Sequence, residues 1–148
     1  MIHHGGTETR SKLLDVDEEL TENVIGAAIE VHRALGPGLM EPAYEKCLCH
    51  ELHHLRGVAF ERQVPLPVKY EGINLDGGYR PDLVVDSSLI LELKCVEHIL
   101  PVHEARLLTY LKMTGKRVGL SAKCSQNLRA SVSPWWICFR RICQNQSN

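Results

Sequence analysis

Apolar positions along the chain recur with two periods, and the switch between them marks out the elements. From Thr21 to Leu35, residues Val24, Ala28, Val31 and Leu35 fall on one helical stripe, with Ile25 and Ile29 beside it. Thr21 is the expected N-cap. Gly36-Pro37-Gly38 stops the helix, because glycine accepts a left-handed conformation and proline lacks an amide donor. A second helix is expected from Glu41, with Pro42 in its first turn, Tyr44, Leu48, Leu52 and Leu55 on one face, and Gly57 as terminator. Val58 to Tyr70 is rich in β-branched and aromatic residues and is broken by Pro65 and Pro67, and Asp76-Gly77-Gly78 reads as a turn. Tyr79–Val85 and Leu89–Val96 read as strands joined by Asp86-Ser87-Ser88. A third helix over His103–Thr114 ends on Gly115, and Lys116–Leu120 reads as a short strand. The order α, α, β, β, β, α, β predicts an α/β fold, a mixed sheet flanked by helices.

At 148 residues the chain is expected to form one domain with a core that needs no disulfide or metal. Residues 1–19 are expected as a loose leader, 20–120 as the domain and 121–148 as a divergent tail. No apolar run approaches the roughly 20 residues of a membrane span. The polar start does not read as a secretory signal, so the expected location is the cytoplasm. The six cysteines, with no C-x-x-C among them, are expected to stay reduced. The net charge of −1 hides an asymmetry: residues 1–104 carry all 18 acids, and residues 105–148 carry eight of the 17 Lys and Arg. A basic end can bind phosphate backbones or simply solvate a surface.

The chemistry concentrates on one hairpin. Pro81-Asp82 and Glu92-Leu93-Lys94 lie symmetrically about Ser87, so a hairpin centred there sets Asp82 opposite Glu92. Lys94, two residues on, shares the face of Glu92, while Leu89, Leu91, Leu93 and Cys95 take the core face. Two opposed carboxylates repel, and a divalent cation between them removes the repulsion. Oxygen ligands with open positions suit Mg²⁺ or Mn²⁺, which polarises a phosphoryl oxygen and activates water, with Lys94 placed to assist. The competing reading is a solvated stripe of Glu and Lys on a surface strand.

Gly38, Glu41 and Tyr44 form a second spaced set. Glu41 either caps a helix N-terminus or reaches back to the hairpin as a further acidic ligand, and Tyr44 either belongs to the core or supports the site. His50, His53 and His54, one turn beyond Cys47, have zinc-like spacing, but no second cluster completes a closed site, which favours a polar helix face. His103 and Glu104 open the third helix near the hairpin. No P-loop, dinucleotide fingerprint or nucleophile elbow occurs.

Several of these segments together resemble the GxxExxY protein family of the PD-(D/E)XK nuclease superfamily. They are Leu20-Thr21-Glu22, Ile25 to His32, Leu35-Gly36-Pro37-Gly38 with Glu41 and Tyr44, Glu61 to Leu66, Pro81-Asp82-Leu83, Glu92-Leu93-Lys94 and Leu100 to Ala105. The resemblance implies a PD-(D/E)XK nuclease-like core and, from the superfamily, metal-dependent cleavage of nucleic-acid phosphodiester bonds, but it supplies no substrate; nucleic acid, DNA first, is the expected partner. It matches the acidic pair to Asp82 and Glu92, the lysine to Lys94 and the helical acid to Glu41, a third ligand for Mg²⁺ or Mn²⁺. Tyr44, His103, Arg106 and Tyr110 are expected around them as supporting or phosphate-contacting residues. The alternative is a catalytically inactive module that keeps the fold and binds nucleic acid or a protein.

Two departures stand out. Arg106 occupies a position where relatives usually carry glutamine. After Val118-Gly119-Leu120, relatives continue with an apolar strand, whereas Ser121 onward lacks acids and periodicity and reads like translation out of frame. The tail is therefore expected not to complete the sheet.

Overall fold

The computed structural model describes residues 5–36, 38, 40–96, 98–124 and 137–143. Helix α1 spans Gly5–Leu35 and α2 spans Glu41–His50, continued by one π-helical turn over Glu51–Leu55. Strands β1 (Phe60–Arg62), β2 (Leu66–Tyr70), β3 (Ile73–Tyr79), β4 (Leu83–Val85) and β5 (Leu89–Lys94) precede helix α3 (Pro101–Thr114), and β6 (Val118–Cys124) and β7 (Ile137–Cys143) follow it. Five strands form a sheet in the order β1-β4-β5-β6-β7, and β2 and β3 form a separate hairpin. The β5–β6 pair is parallel, joined through α3, and the other pairs are antiparallel. This is the mixed α/β architecture that the periodicity predicts.

Helices α1 and α2 cover one face of the sheet. Their stripe of Val24, Ala27, Ala28, Val31, Tyr44, Leu48 and Leu52 buries against Leu83, Val85, Leu89, Leu91, Leu93, Val118, Leu120 and Ala122. Helix α3 covers the other face, where Leu107, Tyr110 and Leu111 pack on Ile90, with Leu66 and Ile142 at the margin. The central strand is thus buried on both sides, and Glu92 is the carboxylate it carries inside. No helix among the described residues is long and apolar enough to cross a membrane.

Four expectations are corrected. The first helix runs back to Gly5, into the residues expected as a loose leader, and Thr21 lies buried inside it rather than capping it. Residues 7–20 have no proline or glycine and many good helix formers, so they extend the helix back through turns whose first residues, 7–12, carry no apolar side chain. The turn that ends β2 is Glu71-Gly72, both with positive φ, and not Asp76-Gly77-Gly78. The latter residues form an irregularity in β3 opposite Pro67, which has no amide to pair. The expected strand over 79–85 divides at Pro81 between two sheets.

The fourth correction concerns the tail. The strand expected to end at Leu120 continues to Cys124, and β7 pairs with it at seven consecutive positions, so the segment does complete the sheet. Loss of acids and of side-chain period does not prevent backbone pairing, and Ile137-Cys138-Phe139 and Ile142 supply strand-forming residues. Trp135 and Trp136 lie outside the described residues.

Candidate active site

The β4–β5 turn is fixed by its backbone. Asp86 and Ser87 both adopt positive φ, and Ser88 N–H donates to Val85 O at 3.0 Å. The resulting register, Leu83 with Leu91 and Val85 with Leu89, carries Asp82 opposite Glu92 one step beyond the ladder. Pro81 ends the strand there, so nearby amides need other acceptors. Asp82 N–H donates to Glu92 Oε1 at 2.9 Å, and Leu93 N–H donates to Asp82 Oδ2 at 2.8 Å. Lys94 Nζ stands 3.7 Å from Glu92 Oε2.

Burial is the main influence on both carboxyls. It raises Asp82 above the usual carboxylate range, against the opposing pull of the Leu93 amide and the Lys94 charge. It raises Glu92 to about 7, with the neighbouring Asp82 charge adding to the effect. Asp82, Glu92, Lys94, Arg106 and Tyr110 line a cleft of about 530 Å³ together with Gln63, Gly78, Tyr79 and Arg80. Tyr110 stacks edge-on to Tyr79, and its hydroxyl meets the Arg80 backbone. Burial raises the Tyr110 phenol as well, and the Glu92 charge adds to that.

The other expected residues sit differently. Glu41 comes from the first turn of α2 and accepts the Cys95 N–H at 3.3 Å, close enough for its charge to act on Asp82. Among the described residues no three His, Cys, Asp or Glu side chains close into one metal-holding group. Tyr44 does not reach the cleft: it is buried in the core, and its hydroxyl donates to Ala28 O at 2.6 Å, tying α2 to α1. His103 turns back on its own helix, where Nδ1 accepts the Leu100 N–H at 3.0 Å. His50, His53 and His54 form an exposed ring cluster, with centroids 4.7 Å apart for the tilted pair His50–His54 and for the edge-on pair His53–His54.

Three residues escaped the sequence reading. Arg80, just before Pro81, adds a cation to the cleft beside Lys94 and Arg106. Gln63 Nε2 lies 3.3 Å from Asp82 Oδ1. Glu45, one helical turn after Glu41, is buried beneath Arg62 and Gln63. The parallel register of β6 also sets Ser121 beside Glu92 and Lys123 beside Lys94, so the strand after Leu120 borders the site.

This donor set fits a hard divalent cation. It offers oxygen ligands only, two opposed carboxylates of which Glu92 is raised first by burial and then by the Asp82 charge, and a cleft with room for water and a phosphate.

A family model described as the PD-(D/E)XK nuclease superfamily matches residues 18–132. The chain belongs to the PD-(D/E)XK nuclease superfamily. The match continues past Leu120, where the sequence pattern was expected to break. Among solved structures, the superfamily member described here is similar to an alkaline exonuclease from Laribacter hongkongensis, with 14% identity, a TM-score of 0.46, and coverage of 66% of this chain and 53% of that one. It is also similar to the protein SSO0001, with 19% identity, a TM-score of 0.47, and coverage of 70% and 49%. The chain thus spans about half the length of these two structures. No curated protein matches the sequence significantly.

Proposed function

We propose that this chain is a GxxExxY-type nuclease that hydrolyses phosphodiester bonds in DNA with the help of Mg²⁺ or Mn²⁺, acting in the cytoplasm. The observation that carries the reading is the Asp82–Glu92 pair with Lys94 beside it, at the wall of a cleft that also presents Arg80 and Arg106. Superfamily membership supports it. Asp82 and Glu92 would hold the ion, with Glu41, whose charge acts on Asp82, as a further carboxylate. When bound, the ion supplies Lewis-acid polarisation of a phosphoryl oxygen and lowers the pKa of water.

The chain's own groups do the rest. Arg80 and Arg106 attract and orient the phosphate backbone. Lys94 would orient the attacking water by an ammonium hydrogen bond, or neutralise the charge that develops on the phosphate oxygens. Tyr79 and Tyr110 wall the cleft on the hairpin and helix sides. The test is cleavage of linear and circular DNA, and of RNA, with and without Mn²⁺. Cleavage that requires the ion and vanishes in Asp82→Ala supports the reading, and cleavage that survives Asp82→Ala and Lys94→Ala overturns it.

A second reading is a catalytically silent nucleic-acid-binding module. Lys94 favours it, because an ammonium 3.7 Å from Glu92 already offsets that carboxylate without a metal. DNA binding with no Mn²⁺ binding in the millimolar range would select it.

A further inference from the structure

We infer that Glu45 and Gln63 are positioning residues that lock the Asp82 carboxylate in place, an inference that rests on the reading of Asp82 as a metal ligand. Asp82 has two oxygens, and each is held from a different side. Oδ2 accepts the Leu93 N–H at 2.8 Å, within the hairpin. Oδ1 faces the Gln63 amide nitrogen at 3.3 Å. Gln63 also grips the Asp82 backbone, its own N–H donating to Asp82 O at 3.0 Å. One residue therefore holds Asp82 at both its main chain and its side chain.

Gln63 is itself held. Its φ is +48°, a region that non-glycine residues keep only where the surroundings over-determine it. The over-determining group is Glu45. The amide nitrogen of Gln63 lies 3.4 Å from both Glu45 oxygens, and Arg62 Nε lies 3.2 Å from Oε1. Glu45 is 6% exposed, so its oxygens depend on these donors for their hydrogen bonds. A role confined to pairing with Arg62, whose side chain is 43% exposed, leaves the two Gln63 contacts unexplained.

The two acids of α2 divide the work: Glu41 meets the end of β5 at Cys95, and Glu45, one turn on, meets the end of β1. Rotating or losing Glu45 releases Gln63, and with it the Oδ1 side of Asp82.

The experiment uses the full chain with Gln63→Leu and Glu45→Gln. Three quantities are read: hydrogen exchange of the Leu93 amide relative to the Leu89 and Leu91 amides, Mn²⁺ affinity by calorimetry, and Tm. The inference predicts that Leu93 exchange rises several-fold in both variants while Leu89 and Leu91 hold, and that Mn²⁺ affinity falls about tenfold, the usual effect of removing a group that orients a ligand. Gln63→Glu, which keeps the length but places a third carboxylate against Asp82 and Glu45, should be worse than Gln63→Leu. Unchanged relative exchange at Leu93 overturns the inference even if affinity falls. Should Glu45→Gln fail to fold, the exposed Gln63 variants decide alone. A wild type that binds no Mn²⁺ refutes the metal reading, and Leu93 exchange, which needs no metal, still decides the positioning role.

Discussion

Asp82 and Glu92 are linked by a hydrogen bond that uses the backbone of one and the side chain of the other. Glu92 Oε1 accepts the Asp82 N–H at 2.9 Å, and the Asp82 carboxylate in turn accepts the amide of Leu93, the residue after Glu92. Each acid thus caps the frayed end of the opposite strand. The hairpin end and the carboxylate geometry cannot be altered separately.

The catalytic consequence follows from that coupling. Asp82→Ala removes the proposed metal ligand and leaves the Leu93 amide without its acceptor, whereas Lys94→Ala removes the charge beside Glu92 and leaves no backbone donor without its acceptor. Each should lower DNA cleavage by about a hundredfold or more. Asp82→Ala should also lower Tm, by an amount consistent with an unmet buried amide of about 1–3 kcal/mol. Parallel cleavage and thermal-melt series separate the two effects. Lys94→Ala that melts as early as Asp82→Ala would contradict the distinction.

Glu92 gives stability a pH dependence whose sign can be stated. Its folded value is about 7 against an ordinary 4.5, so between these values the native state keeps a proton that the unfolded chain has lost. The contribution is fully present below 4.5 and lost as pH rises through 7. The metal-free protein should therefore lose stability across this window, on the order of 3 kcal/mol in total. Mn²⁺ affinity should rise across the same window, because the ion displaces the proton. Glu92→Gln should flatten the stability profile and abolish cleavage. Melting curves from pH 4 to pH 8 check it, and a wild-type Tm that climbs from pH 5 to pH 7 would reverse the sign.

How legible the site was depends on how local its geometry is. The register of Asp82 against Glu92 was readable because a short turn at Asp86-Ser87-Ser88 fixes it. Lys94 followed from strand alternation. Tyr44 was ambiguous because its partner, Ala28 O, lies 16 residues away on another helix. Glu45 was invisible for the same reason, since Arg62 and Gln63 meet it across 17 and 18 residues. The first turns of α1 escaped because they carry helix propensity without an apolar stripe. Strand β7 escaped because backbone pairing with β6 leaves no period in a short mixed segment.

Packing of α3 sets where Arg106 and Tyr110 stand. A Cβ on Gly119 would lie 2.8 Å from Leu107 Cγ and Cδ1, inside ordinary contact. Leu107 is fully buried and cannot swing away. Gly119→Ala should therefore push α3 off β6, costing about 1–3 kcal/mol. Because the same helix carries Arg106 and Tyr110 to the cleft, DNA cleavage should fall as well. Leu107→Ala, which opens space for that methyl, should restore part of the activity when combined with Gly119→Ala. Strictly additive losses in the double variant would show that the contact is not the cause.

The closing strand tests the sheet beside the site. Ile142 on β7 packs at the margin of the cluster formed by Ile90, Leu107, Tyr110 and Leu111, directly opposite Gly119 in register. Ile142→Asp places a charge against that apolar patch and should destabilise the domain by about 2–4 kcal/mol. Removing residues 137–148 should leave the β6 edge unpaired and expose its amides, with self-association as the result. Hydrogen exchange reads this directly. In the full chain, the β6 amides that face β7 should be protected along with those of β5, and truncation should release the β6 set selectively. If β6 amides exchange at the same rate in both chains, β7 does not seal the sheet, and Ser121 and Lys123 lose the support that holds them beside Glu92 and Lys94.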